Sequence, residues 1–308
     1  MTNGFNNTTA LNVQIANIMS SSSSKEDKVK TLISVGLMKK EAEYFCRTRV
    51  EIPATHHRFS FTFGVEIECI VDKYAVHRTL GNVISIESYN HRDHNDGIFK
   101  FVTDSSVTDN NGRSCHSGSN AIECVSPVLK SNGGMKSLEK VVKAINDNGG
   151  YVNNSCGLHV HIGAAGLSGI QYVNVFKNYQ MLESVIDSFM APSRRGNCRW
   201  ACTMSAYNFS HCYNKEQVAR EIGTRYCKVN PEAYRAHGTI EFRQHQGTLN
   251  IKKIQMWVRF LGKLVRYSKD HVIENYVSSI DEIPFLTKAE KSYFKARRVA
   301  LNRTSEVA

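Results

Sequence analysis

The 308-residue sequence has no run of about 18 apolar residues, so it offers no helix that reads as a membrane span. Its N-terminus lacks the basic start and apolar core of a secretory signal peptide, and the first basic residue is Lys25. The nine cysteines form no C-x-x-C pair and are odd in number. That argues against a zinc ribbon or a disulfide framework and for the reduced thiols of a cytoplasmic protein. Acidic residues are in deficit, 28 against 39 Lys plus Arg, which leaves a net charge of +11. A basic protein attracts anions, whether nucleic acid, nucleotide phosphates or an acidic substrate. Part of the excess lies in Lys288, Lys291, Lys295, Arg297, Arg298 and Arg303. That spacing reads as a solvated helix face in preference to a nucleic-acid patch. The remaining balance, 41% hydrophobic and 22% charged, is that of a globular chain with a sizeable core.

Residues 1–24 are rich in Asn, Ser and Thr, end in the five serines Ser20 to Ser24, and read as a flexible tail. Residues 25–55 read as a helical extension of two short helices. Val29, Leu32 and Ile33 form one apolar stripe, Met38, Ala42 and Phe45 another, with Pro53 near the boundary. Residues 56–308 read as the main domain, with Lys288 to Arg303 as a basic terminal helix. Within it, Val76 to Tyr89 reads as helical with an interruption at Gly81, and His91 to Asp96 as a polar loop. Amphipathic helices are expected over Met135–Asn148, from Ser168 to about Met190, and over Ile251–Ser268.

Four segments share one design. Side chains alternate faces along a strand. In Gly157–Gly163 the residues Leu158, Val160 and Ile162 fall on one face, and His159 and His161 on the other. In Phe61–Ile70 the apolar residues back Glu66 and Glu68. In Ala121–Val125 Glu123 points away from Ile122 and Cys124. In Thr239–His245 the pattern sends Ile240 and Phe242 back and Glu241, Arg243 and His245 forward. Arg225 to Asn230 reads as a further strand, and Ser193 to Asn197 as a compact basic loop. Strands of this kind separated by amphipathic helices predict an α+β sheet with helices behind it and a polar cleft in front. Carboxylates two residues apart repel unless a cation lies between them, and a hard cation such as magnesium or manganese relieves that repulsion. Four carboxylates and an imidazole suffice for two or more such ions, and the remaining imidazole and arginine suit a phosphate. The inventory matches phosphoryl transfer. A metal-dependent hydrolase built on zinc, and a basic nucleic-acid-binding or scaffolding protein on a similar fold, are the rival readings. A cupin would place a carboxylate soon after His161, and none stands between Ile162 and Gly166.

The order G-V-E-I-E, D-S-S-V, E-C-V-S-P, G-L-H-V-H-I-G, P-S-R-R-G-N, R-Y-C-K-V-N and T-I-E-F-R-Q-H-Q-G-T, from Phe61 to Tyr267, resembles the amidoligase family. That family is a branch of the glutamine synthetase-like carboxylate–amine ligases. The resemblance implies a curved antiparallel sheet whose concave face holds ATP and two or three magnesium ions. It implies transfer of the γ-phosphate to a substrate carboxylate and attack on the acyl phosphate by an amine substrate. An amino acid, a peptide or a protein side chain is the expected kind of partner, and nucleic acid is a lesser expectation. By motif, Glu66, Glu68, Glu123, His159 and Glu241 correspond to metal ligands. His161 and Arg243 correspond to the residues facing the transferring phosphate. Arg194, Arg195 and Arg225 fall in motifs near nucleotide and substrate. The first 55 residues and the basic terminal helix inherit nothing from the resemblance.

Overall fold

The computed structural model describes residues 18, 23–34, 61–87 and 97–302. Nearly all of the expected tail, the stripe from Met38 to Phe45, Pro53 and the His91–Asp96 loop lie outside them. The chain divides into two compact units, residues 57–278 and a second made of 1–56 with 279–308. In the second unit, α1 (Lys25–Ser34) starts behind Ser24, whose hydroxyl accepts from the Asp27 amide at 3.1 Å, and buries Leu32. Its terminal helix, α8 (Lys288–Asn302), is less solvated than its composition predicts. Lys295 pairs with Asp281 at 2.6 Å, and Arg297 is buried.

The larger unit is α+β, as expected, and is built on an eight-stranded sheet in the order β2-β3-β4-β1-β6-β8-β7, with β5 on the end of β1. Every pairing is antiparallel except β2 with β3. The strands are β1 (Thr62–Ile70), β2 (Ile84–Glu87), β3 (Phe99–Thr103), β4 (Ala121–Val125), β5 (Leu129–Lys130), β6 (Gly157–Gly163), β7 (Val229–Asn230) and β8 (Thr239–Gln246). The helices are α2 (Lys73–Leu80), α3 (Ser131–Asp147), α4 (Gly169–Asp187), α5 (Lys215–Ile222), α6 (Ala233–His237) and α7 (Ile251–Tyr267). No helix among the described residues is long and apolar enough to cross a membrane.

The apolar strand residues do lie behind the sheet. Leu158, Val160 and Ile162 are fully buried, and helices cover that side. Tyr179 of α4 packs on Phe242 with ring centroids 5.8 Å apart. Ser168 opens α4 with the reciprocal bonds of a capping box to Gln171, and Asn250 caps α7 through the Lys253 amide.

Three expectations need correction. The interruption expected at Gly81 is there, at φ +59, but no α-helix resumes after it: α2 stops at Leu80, and the alternating I-S-I-E run of Ile84–Glu87 becomes β2. Arg225 to Asn230 is a strand only at Val229 and Asn230, with Cys227 in a single isolated bridge to Cys202. His245 does not face forward. The β6–β8 register slips between Leu158 and Val160, so that Leu158 pairs with His245 but Val160 with Phe242. The extra residue on β8 reverses the alternation after Arg243. His245 therefore shares the rear face with Leu158 and packs on Trp257, ring centroids 5.8 Å apart.

Candidate active site

The register gathers the predicted acids and imidazoles. Glu66 pairs with His159, Glu68 with Glu123, and His161 with Glu241. Residues directly opposite on antiparallel strands share a face. The six groups therefore stand together at the middle of the sheet, at the junction of β4, β1, β6 and β8. His159 is their centre. Its Nδ1 lies 3.1 Å from Glu66, 3.6 Å from Glu241 and 4.0 Å from Glu123, and its Nε2 lies 3.7 Å from Glu68. Two overlapping donor groups result, Glu66–His159–Glu241 and Glu68–Glu123–His159, each with its ligand atoms within 4.8 Å of one another.

The site is buried and unevenly charged. Burial alone would push the Glu66 carboxyl up, but His161 and His159 outweigh it and hold it well below the usual carboxylate range. Glu123 goes the other way. Burial, reinforced by Glu66, Glu68, Asp104 and Glu241, raises its carboxyl well above that range. Burial opposes charge on His161, yet Glu66 and Glu241 raise its imidazole above the ordinary value. His161 is fixed at both nitrogens, Nδ1 at 2.9 Å from Thr239 Oγ1 and Nε2 at 3.1 Å from Glu66.

Gly157 closes one side of the cluster. Its amide donates to Glu68 at 2.5 Å, and a Cβ there would stand 3.1 Å from His159 Nε2 and 3.3 Å from Glu68 Oε2. The space beside the histidine row is thus already used by the acid–imidazole cluster.

The arginines divide. Arg243 is buried, donates to Glu241, and keeps its Nε buried with no hydrogen-bond partner. Arg195 is half-buried, donates through Nε to the Met190 carbonyl at 2.9 Å, and has an unpartnered buried Nη2. Arg225 is exposed over the ring of Tyr226, 5.4 Å from its centroid, and makes no contact with the cluster. Arg194 is the arginine of that loop that reaches the histidine strand, with Nη2 on the Cys156 carbonyl at 2.8 Å.

Other residues around the site were not singled out from sequence. Asn230 of β7 donates to Glu241 at 2.6 Å and orients it. Thr239 holds His161, and Asp104 adds its charge to Glu123. Two-residue periodicity was the available signal for Asn230, on a strand too short to stand out. Lys100 shares the front face through its pairing with Val125, which pairs with Glu66. It is joined to Glu87 at 3.0 Å, at the far side of the sheet from Arg243.

The family described as "Putative amidoligase enzyme" matches residues 59–265. No curated protein sequence matches the chain. Among solved structures, a bifunctional glutathione synthetase from Pasteurella multocida is similar at 12% identity with a TM-score of 0.38. The similarity covers 80% of this chain and 47% of that one, so the chain spans about half the length of that enzyme.

Proposed function

This chain belongs to the amidoligase family, and on that premise we propose that it is an ATP-dependent carboxylate–amine ligase on a glutamine synthetase-like curved sheet. The observation that carries the reading is the pair of overlapping carboxylate–imidazole groups flanked by a buried arginine with an unused donor. The donor set fits the cation such chemistry uses. It consists of carboxylate oxygens and one imidazole without a thiolate, which suits magnesium or manganese better than a thiolate zinc site. Glu66, Glu68, Glu123, His159 and Glu241 would hold the ions. Bound there, magnesium would offset the negative charge of the triphosphate and of the substrate carboxylate.

The protein's own groups do the rest. Asn230 and Arg243 fix Glu241, and Arg243 keeps its Nε for an anion, suited to the terminal phosphoryl group of ATP as it moves. His161, held by Thr239 and favoured in its charged form by Glu66, presents a second positive group to that phosphate. A carboxylate oxygen of the substrate attacks the γ-phosphorus, the bond to the β-phosphate oxygen breaks, and ADP leaves. The amine then attacks the acyl carbon, the C–O bond to phosphate breaks, and the nitrogen loses a proton. The segments before residue 56 and the basic terminal helix lie outside the matched range.

The deciding experiment is a screen for ADP release over carboxylates and amines, followed by turnover with an oxygen-18-labelled carboxylate. The ligase route carries label from the carboxylate into the released phosphate. Amide formation without that transfer overturns the mechanism, and phosphate-ester or amide hydrolysis without ATP favours the hydrolase instead.

A further inference from the structure

Beside the site stands a surface that the phosphoryl chemistry does not use. Trp200 and Tyr226 are 42% and 39% exposed and meet edge to face with centroids 5.4 Å apart. Arg199 lies 4.6 Å over the indole, and Arg225 lies 5.4 Å from the phenol ring. Among the described residues neither of these exposed arginines pairs with a carboxylate. The surface is built, because the chain at Cys202 pairs with Cys227: the Cys202 amide donates to the Tyr226 carbonyl at 2.9 Å, and the Lys228 amide donates to Cys202 at 3.1 Å. Next to it, the buried guanidinium of Arg243 lies 6.0 Å from the Tyr226 ring and has its Nε without a partner.

We infer that this Arg199–Trp200–Arg225–Tyr226 surface binds an acidic peptide that presents the carboxylate to be activated. The inference rests on the ligase reading above and names the substrate class of that site. Position argues first. A group on Tyr226 adjoins Arg243, the residue assigned to the transferring phosphoryl. The base of ATP is separated from that phosphoryl by a ribose and two phosphates, whereas the substrate carboxylate must touch it. Charge argues next. Two guanidiniums already held over rings are placed for bidentate anions with less ordering left to do. Composition and extent argue last. Exposed Trp, Tyr and Arg together are the residues that dominate peptide and protein recognition. Four side chains from two segments form the surface, which is wider than one small amino acid needs. Nucleic acid would suit rings and arginines equally, but it supplies no carboxylate.

The test uses the full chain and fluorescein-labelled hexaglutamate, read by anisotropy, with Mg·ATP binding measured in parallel by calorimetry. Hexaglutamate should bind. Trp200→Ala, Arg199→Gln and Arg225→Gln should each weaken it by roughly tenfold or more, the loss expected at a hot-spot residue. Trp200→Phe should retain most of the affinity, and Mg·ATP should bind the Trp200 and Arg199 variants as it binds the wild type. No hexaglutamate binding, equal binding by the variants, or tighter binding of an oligothymidylate would overturn the peptide assignment while leaving the ligase reading standing. Failure of the wild type to bind Mg·ATP would overturn the ligase reading, and with it the substrate role given to this surface.

Discussion

Glu123→Gln should reverse its effect on stability according to whether magnesium is present. In chelator the wild type confines four carboxylates around two imidazoles, and Glu123 is the one that burial, reinforced by its neighbours, forces toward the neutral form. Like charges 4.8 Å apart, the outer limit for the ligand atoms of Glu68 and Glu123, repel by about 3.5 kcal/mol at an effective dielectric of about 20. Taking up a proton relieves part of this. Replacing Glu123 by its neutral isostere should therefore stabilise the metal-free protein by about 1–3 kcal/mol, a shift of several degrees in melting temperature. The sign of the pH dependence follows. Because its carboxyl is raised, folded Glu123 keeps a proton that the unfolded chain loses above about pH 4.3. The folded state then binds more protons, so this group makes stability fall as pH rises, and Glu123→Gln should flatten that slope. Glu66 acts oppositely: its stabilisation is present above about pH 4.3 and is lost as pH falls through its lowered folded value. Excess magnesium inverts the comparison. At a hundred times its dissociation constant a native-state ligand adds about 2.7 kcal/mol, and the variant should forfeit most of that. Melting curves in chelator and in magnesium, repeated from pH 5 to 8, measure all of this. A variant less stable than the wild type under both conditions, or a wild type indifferent to magnesium, would refute the reasoning.

Other outcomes follow from the same geometry. Arg243→Gln should cost about 2–4 kcal/mol of transition-state stabilisation with little change in ATP binding, and Arg243→Lys should recover only a small part, as steady-state kinetics beside calorimetry will show. Gly157→Ala should leave the fold intact but displace His159 and Glu68, lowering magnesium affinity and turnover together. Lys228→Met should be the most destabilising change, by about 3–5 kcal/mol in chemical denaturation. Its fully buried ammonium is 2.7 Å from both Glu183 and Asp187, and its removal strands two carboxylates.

Much of this site could be read from the chain because the signal was local. Glu66, Glu68, Glu123, His159 and His161 follow strict alternation on regular strands, and such strands converge wherever their apolar backs share a core. His245 was misread for the same reason. Alternation cannot reveal an extra residue whose cause is the pairing of β8 with β6, two segments far apart in sequence. Asn230 and Asp104 stand in the R-Y-C-K-V-N and D-S-S-V motifs but received no role, because one lies on a two-residue strand and the other beyond the end of β3. Their roles arise only across strands. The parallel pairing of β2 with β3 was equally hidden, since a four-residue strand following a helix carries too short a pattern to separate from that helix.

His159 belongs to both donor groups, and that has a consequence for how metal would load. A neutral imidazole has one lone pair to give. Nδ1 faces Glu66, Glu241 and, at 4.0 Å, Glu123, while Nε2 faces Glu68. Whichever nitrogen binds an ion leaves the other carrying the proton. The two seats therefore compete for a single electron pair, and filling one weakens the nitrogen contribution to the other by the same factor in either order of addition. On the proposed reading the pocket would offer unequal seats: a first ion would be held with help from the ring, and a second by carboxylate oxygens alone.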